Sequence, residues 1–176
     1  MRRRDVLAGL AGAGAIGGAG VLHVVGLPIG NKVGEEPAHG QVTVQGVDAT
    51  GSEERNVLIP AENTVTFVDL FATTCTVCQA QMPALGEAAA AFPDVKFVSV
   101  TAERDSFVSD AELAEWWDDY DGSWQVARDD TFDLVRHYSR ATPTGVLFDA
   151  TGRLRFSETG RKSADELIAA IEAVQR

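Results

Sequence analysis

The chain has 176 residues, 45% of them hydrophobic, with a formal charge of −11 and an isoelectric point near 4.6. That length holds one well-buried domain plus a leader, and the singly scattered basic residues lack the footprint of a phosphate-backbone binder, so no nucleic-acid partner is expected. Three lysines, Lys32, Lys96 and Lys162, stand among 26 Asp and Glu, the balance of an acidic surface kept hydrated in high salt, which predicts a halophilic source.

Residues 1–30 combine a short basic start with a Gly/Ala-rich apolar stretch, the layout of an export signal. Arg3 and Arg4, followed by Asp5 and the apolar pair Val6-Leu7, are similar to a twin-arginine signal. A membrane anchor also fits, because the apolar stretch is nearly long enough to span a bilayer. Both a cleaved signal and a retained anchor place the rest of the chain outside the cytoplasm, where disulfides persist. Residues 31–40 are polar, with Gly and Pro, and read as a linker.

The domain is expected over residues 41–176, beginning with a β extension. QVTVQGV alternates as a strand and RNVLIP reads as its return partner. TVTFVDLF, residues 64–71, is apolar on both faces, as a central strand covered on two sides should be. It runs into FATTCTVCQAQMP, which holds the two cysteines of the chain, Cys75 and Cys78. A helix is expected from Thr76 to about Ala91, kinked by Pro83. VKFVSV is a further strand, and SDAELAEWWDDY a helix with a Ser/Asp cap. A short strand at SWQVA and a capped helix within DDTFDLVRHY follow. TGVLFDATGRLRF has the hairpin signature, and a last helix from Ser163 places Leu167, Ile171 and Val174 on one face. Strands alternating with helices, then a hairpin and a terminal helix, predict an α/β domain with a central mixed sheet flanked by helices.

Two cysteines separated by two residues admit three uses. As a structural staple they would close too short a loop to restrict the unfolded chain much. Structural zinc lacks ligands, since His23 and His39 are distant in sequence. The remaining choice is redox chemistry or copper. At the first turn of a helix Cys75 would meet unpaired N–H groups and the positive end of the dipole, which favour its thiolate. Cys78, one turn deeper on the same face, could then attack a mixed disulfide at Cys75 and release the substrate. Asp69 falls within an apolar strand, where a carboxylate is costly unless paired or neutral. It is the candidate proton carrier for Cys78.

VDLFATTCTVC, Pro83 and ATPTGVLFDATGRL, in that order, resemble the thioredoxin superfamily and within it the exported TlpA/ResA-like thiol-disulfide oxidoreductases, over about residues 60–176. The resemblance implies a thioredoxin fold, a cis peptide bond before Pro143, and Thr142 presenting its backbone to substrate, with Thr74, Thr76 and Val77 also facing it. It implies a buried Asp at position 69, no cofactor, protein disulfide or dithiol substrates, and a membrane electron donor, possible roles being protein or cytochrome maturation. The chain departs from the pattern in three ways. Thr74 replaces the aromatic residue usual before the first cysteine, Thr76-Val77 contains no proline, and Gln81 stands where ResA-like proteins have a glutamate.

Two other functions compete. Sco-type copper chaperones share this fold, and Cys75, Cys78 and His137 would be the ligands here, since soft thiolates suit Cu(I). Sco proteins, however, space their cysteines by three residues. A non-catalytic binding module needs neither thiol. Trp116, Trp117, Tyr120 and Trp124 are read mostly as core, and Glu103-Arg104-Asp105 as a solvated loop without a role.

Overall fold

The structure, a computed structural model, describes residues 40–176. The leader and nearly all of the linker read from the sequence lie outside these residues, as do His23 and His39. No helix among the described residues is long and apolar enough to cross a membrane.

Seven strands form one sheet: β1 (Val42–Gly46), β2 (Asn56–Ile59), β3 (Thr66–Phe71), β4 (Lys96–Thr101), β5 (Gln125–Arg128), β6 (Thr144–Phe148) and β7 (Leu154–Thr159), in the order β2-β1-β5-β4-β3-β6-β7. β3, β4 and β5 run parallel, while β1 and β2 on one side and β6 and β7 on the other are antiparallel. This is the expected mixed sheet, and RNVLIP does return against QVTVQGV, pairing Val44 with Val57. Every residue of β3 is buried, as its two-sided apolar pattern requires.

The helices are α1 (Thr76–Gln79), α2 (Met82–Ala91), α3 (Asp110–Asp119), α4 (Asp133–His137) and α5 (Ala164–Gln175). α3 and α5 each begin with a capping box, Ser109 with Glu112 and Ser163 with Glu166, which satisfies donors that the first turn leaves free. On one face of the sheet Phe67, Phe71, Phe97 and Val126 pack with Met82 and Leu85 of α2, Leu113 and Trp117 of α3, and Leu167 and Ile171 of α5. On the other, Val68, Leu70, Val98, Val100 and Val146 pack with Leu134 of α4. Val174, expected on the buried stripe of α5, is only half-buried at the helix end.

The helical run expected after Cys75 is present as two segments, α1 and α2. Ala80 and Gln81, between them, keep right-handed helical dihedrals, but the Gln81 N–H donates to the Cys78 carbonyl three residues back at 2.9 Å, and Pro83, which has no N–H to give, falls in the first turn of α2. The helical run expected from Thr76 to about Ala91 thus has its interruption just before Pro83. Trp117 is fully buried, with its ring edge-on to Trp124 at 4.8 Å between centroids. Gly122 lies flat against that indole; a Cβ there would come within 2.2 Å of the ring.

Candidate active site

β3 delivers the chain to the site, and the loop 72–74 turns it into α1. Cys75 is the N-cap of α1, in extended conformation, and its Sγ accepts the Cys78 N–H at 3.1 Å. The two cysteines form a disulfide, with Cα atoms 5.2 Å apart. Cys75 is half-buried, whereas Cys78 is only 2% exposed and packs with Phe67, Phe71, Met82 and Leu85. Thr74, Thr76 and Val77 are exposed around them.

The loop owes its position to Thr73, all of whose polar groups are occupied. Its N–H and hydroxyl donate to the Glu103 carboxylate at 2.8 and 3.0 Å. Its carbonyl accepts the Trp116 indole N–H at 3.1 Å and the Gln79 amide at 3.0 Å. Glu103 also accepts the Thr101 hydroxyl at 3.0 Å. It is held in turn by Arg128, a buried guanidinium that donates to the carbonyls of Glu103 and Val108 and to the Asp110 carboxylate, the last at 2.7 Å. The Trp116 ring stacks on Phe71 at 5.0 Å and lies 4.8 Å from Tyr120. Two expectations are corrected here. Glu103 is no idle surface charge, and Trp116 does more than fill the core: together they clamp the segment that carries Cys75. The contacts join positions 30 and 43 residues apart, a separation at which no local pattern announces them.

Across from the disulfide, the Thr142–Pro143 bond is cis, and the Thr142 carbonyl oxygen lies 3.7 Å from Cys75 Sγ. The loop is fixed by the Thr144 hydroxyl donating to the Ala141 carbonyl at 2.7 Å and by the Gly160 N–H donating to the Pro143 carbonyl at 2.8 Å. A second cis bond precedes Pro60, which the sequence pattern did not mark.

Asp69 is 4% exposed, and its parallel partner across the ladder is Ser99. Strand alternation puts it on the face of Phe67 and Phe71, the face against which Cys78 packs. Burial pushes its carboxyl up from 3.8 to about 7, and the Ser99 hydroxyl, 3.4 Å from Oδ2, partly opposes this. Ser99 itself accepts the Trp124 indole N–H at 3.0 Å. Gln81, the residue in place of a glutamate, is also buried, and its side-chain oxygen accepts the Lys162 N–H at 2.8 Å, tying the α1–α2 junction to the start of α5.

His137 does not join the cysteines. Its Nδ1 sits 2.7 Å from the Asp133 carbonyl at the exposed end of α4, and no group of three His, Cys, Asp or Glu side chains able to hold a metal forms among the described residues. The copper alternative therefore finds no three-residue ligand set.

Residues 46–173 match the redoxin family model. No curated protein matches the sequence. Solved structures do: StoA from Bacillus subtilis, at 19% identity and a TM-score of 0.64, covers 77% of this chain and 99% of its own. A secreted Mycobacterium tuberculosis disulfide oxidoreductase, at 20% and 0.61, covers 75% and 95%. The exposed lipoprotein thioredoxin of Streptococcus pneumoniae, at 20% and 0.64, covers 76% and 99%. These likenesses carry the fold, and the family match spans most of the chain. With its Cys75–Cys78 pair at the start of a helix beside a cis-proline loop, the chain belongs to the redoxin family and is a thiol-disulfide oxidoreductase of the thioredoxin fold.

Proposed function

We propose that the protein exchanges two electrons with protein disulfides outside the cytoplasm, with Cys75 as the attacking thiol, Cys78 as the resolving thiol and Asp69 as proton carrier. The observation that carries this is the asymmetry of the pair: Cys75 is reachable and lies beside the Thr142 carbonyl, whereas Cys78 is buried beneath it. In the reducing direction the Cys75 thiolate attacks one sulfur of the substrate disulfide, forming a mixed disulfide and releasing one substrate thiolate. Cys78 then loses its proton and attacks Cys75 Sγ. The Cys75–Cys78 disulfide forms and the second substrate thiolate leaves, so the substrate gains two electrons and, in water, two protons. The oxidising direction is the same sequence reversed.

Asp69 is suited to accept the Cys78 proton because it lies on the same side of the sheet and its carboxyl is poised near neutral pH. Thr142 would offer its backbone to an extended substrate segment, with Thr74, Thr76 and Val77 as exposed neighbours. Export is supported by the twin-arginine-like leader and by two structural relatives, one a secreted disulfide oxidoreductase and the other an exposed lipoprotein thioredoxin. A reductant or electron relay in protein or cytochrome maturation, recharged by a membrane electron donor, is the role this reading favours.

The test is trapping. Cys78→Ser should accumulate mixed disulfides with protein substrates, because attack survives while resolution is lost, and Cys75→Ser should accumulate none. Equal trapping by the two variants would reverse or abolish the assigned roles.

A further inference from the structure

A cleft of about 560 Å³ opens beside the disulfide, between the ends of β3 and β4 and helix α4, with Phe71, Ala102, Phe132 and Val135 among its apolar lining and Arg140 and Thr142 also lining it. Resting on the oxidoreductase reading, we propose that this cleft is a specificity subsite for the polypeptide flanking the substrate disulfide, taking an apolar side chain followed by a carboxylate.

Continuity with the chemistry comes from Thr142. Its carbonyl is 3.7 Å from Cys75 Sγ, and the same residue lines the cleft. An extended segment advances about 3.3 Å per residue, so a side chain one or two positions from the attacked cysteine reaches the cleft. Its apolar lining includes a residue in a costly conformation: Phe132 has φ 60°, left-handed for a non-glycine. Asp129, buried, holds the turn by accepting the N–H groups of Asp133, Leu134 and Val135. Such a conformation persists only where surrounding contacts impose it, and here it places an aromatic ring in the cleft.

The charges around the cleft select the second feature. The Glu103 carboxylate lines it but is already occupied by Thr73 and Thr101. Arg136 is paired with Asp133 at 3.0 Å, and the Arg104 guanidinium lies over the Phe132 ring at 5.5 Å. Arg140 is exposed and has no ion-pair partner among the described residues. Arg136 and Arg140 line the cleft with Glu103, and Arg104 covers the Phe132 ring; with Arg136 taken by Asp133 and Glu103 by its threonine donors, Arg140 is the lining cation left for a ligand. Guanidinium is suited to bidentate pairing with a carboxylate.

The test measures kcat/KM for exchange between the reduced full-length protein and synthetic peptide disulfides. The peptides carry Phe or Ala next to the cysteine and Glu, Gln or Lys beyond it. Phe should be preferred over Ala, and Glu over Lys by about five- to tenfold at low salt, the size expected of exposed charge complementarity. The Glu preference should shrink as salt rises, and Arg140→Glu should invert it to favour Lys. Because each ratio is taken within one protein, a change in overall activity leaves it interpretable. Equal exchange with all peptides, or a Glu:Lys ratio unchanged in Arg140→Glu, would overturn the subsite alone. Exchange with none of them would overturn the oxidoreductase reading along with it.

Discussion

Replacing Asp69 by Asn removes the ionisable group and keeps the shape, so it isolates the cost of a buried carboxylate. The native carboxyl titrates near 7 and the unfolded one near 3.8. Between those values the folded chain binds more protons at this site than the unfolded chain does, so stability falls as pH rises from about 4 and levels off above about 7. Three pH units at about 1.4 kcal/mol each amount to roughly 4 kcal/mol lost by pH 8. Asp69 is almost wholly buried, so solvent screening does not discount this. The Asn variant carries no such loss. Denaturant titrations of the oxidised proteins should therefore show nearly equal stability at pH 4 and the variant more stable by about 4 kcal/mol at pH 8. Its new amide donor can be accepted by the Ser99 hydroxyl, which already faces Oδ2. The same variant should release mixed disulfides more slowly, having lost the acceptor for the Cys78 proton. A stability gap that stays constant from pH 4 to 8 would refute the buried, raised carboxyl. An Asn variant less stable at pH 8 would show that Asp69 is instead a paired anion. A pH-dependent gap with unchanged release would leave the burial intact and remove the proton role.

Three further outcomes follow from the same geometry. Ser99→Ala deletes the hydroxyl that favours the Asp69 carboxylate, so the midpoint of the pH–rate profile should move upward, and loss of the partner to the Trp124 N–H should cost about 1–3 kcal/mol by denaturation; an unmoved midpoint would argue against Asp69 as the titrating group. Glu103→Ala leaves the Thr73 N–H without its acceptor; stability should fall by about 1–3 kcal/mol and exchange with protein disulfides should slow, whereas unchanged exchange would show that the loop keeps Cys75 in place without the clamp. Gly122→Ala drives a methyl into the Trp117 ring and should destabilise by about 1–3 kcal/mol or more, with a shift in tryptophan fluorescence; a neutral result would mean that the turn relaxes freely.

Local chemistry alone marked most of the elements. The two-sided apolar run of β3, the alternation of β1 and the serine starts of α3 and α5 each set their own segment's preference, and the segments formed close to where those patterns lie. The spacing of Cys75 and Cys78 left redox chemistry or copper open, and its order with Pro83 and ATPTGVLFDATGRL pointed to redox use. Asp69 was legible because a carboxylate amid Phe67, Val68, Leu70 and Phe71 is costly wherever that strand packs. Tertiary structure decided what each of these groups meets. Ser99 faces Asp69 only because β3 and β4 pair in parallel at that register. Glu103 and Trp116 reach Thr73 only because the ends of β3 and β4 and the helix α3 converge there. Arg128, a single charge in a short strand, becomes the anchor of the Glu103 loop only once buried with its acceptors around it. Periodicity reports which face of a segment avoids water, a property of neighbours along the chain. A hydrogen bond between residues 30 or more positions apart depends on strand order and register, which arise from the packing of all segments at once.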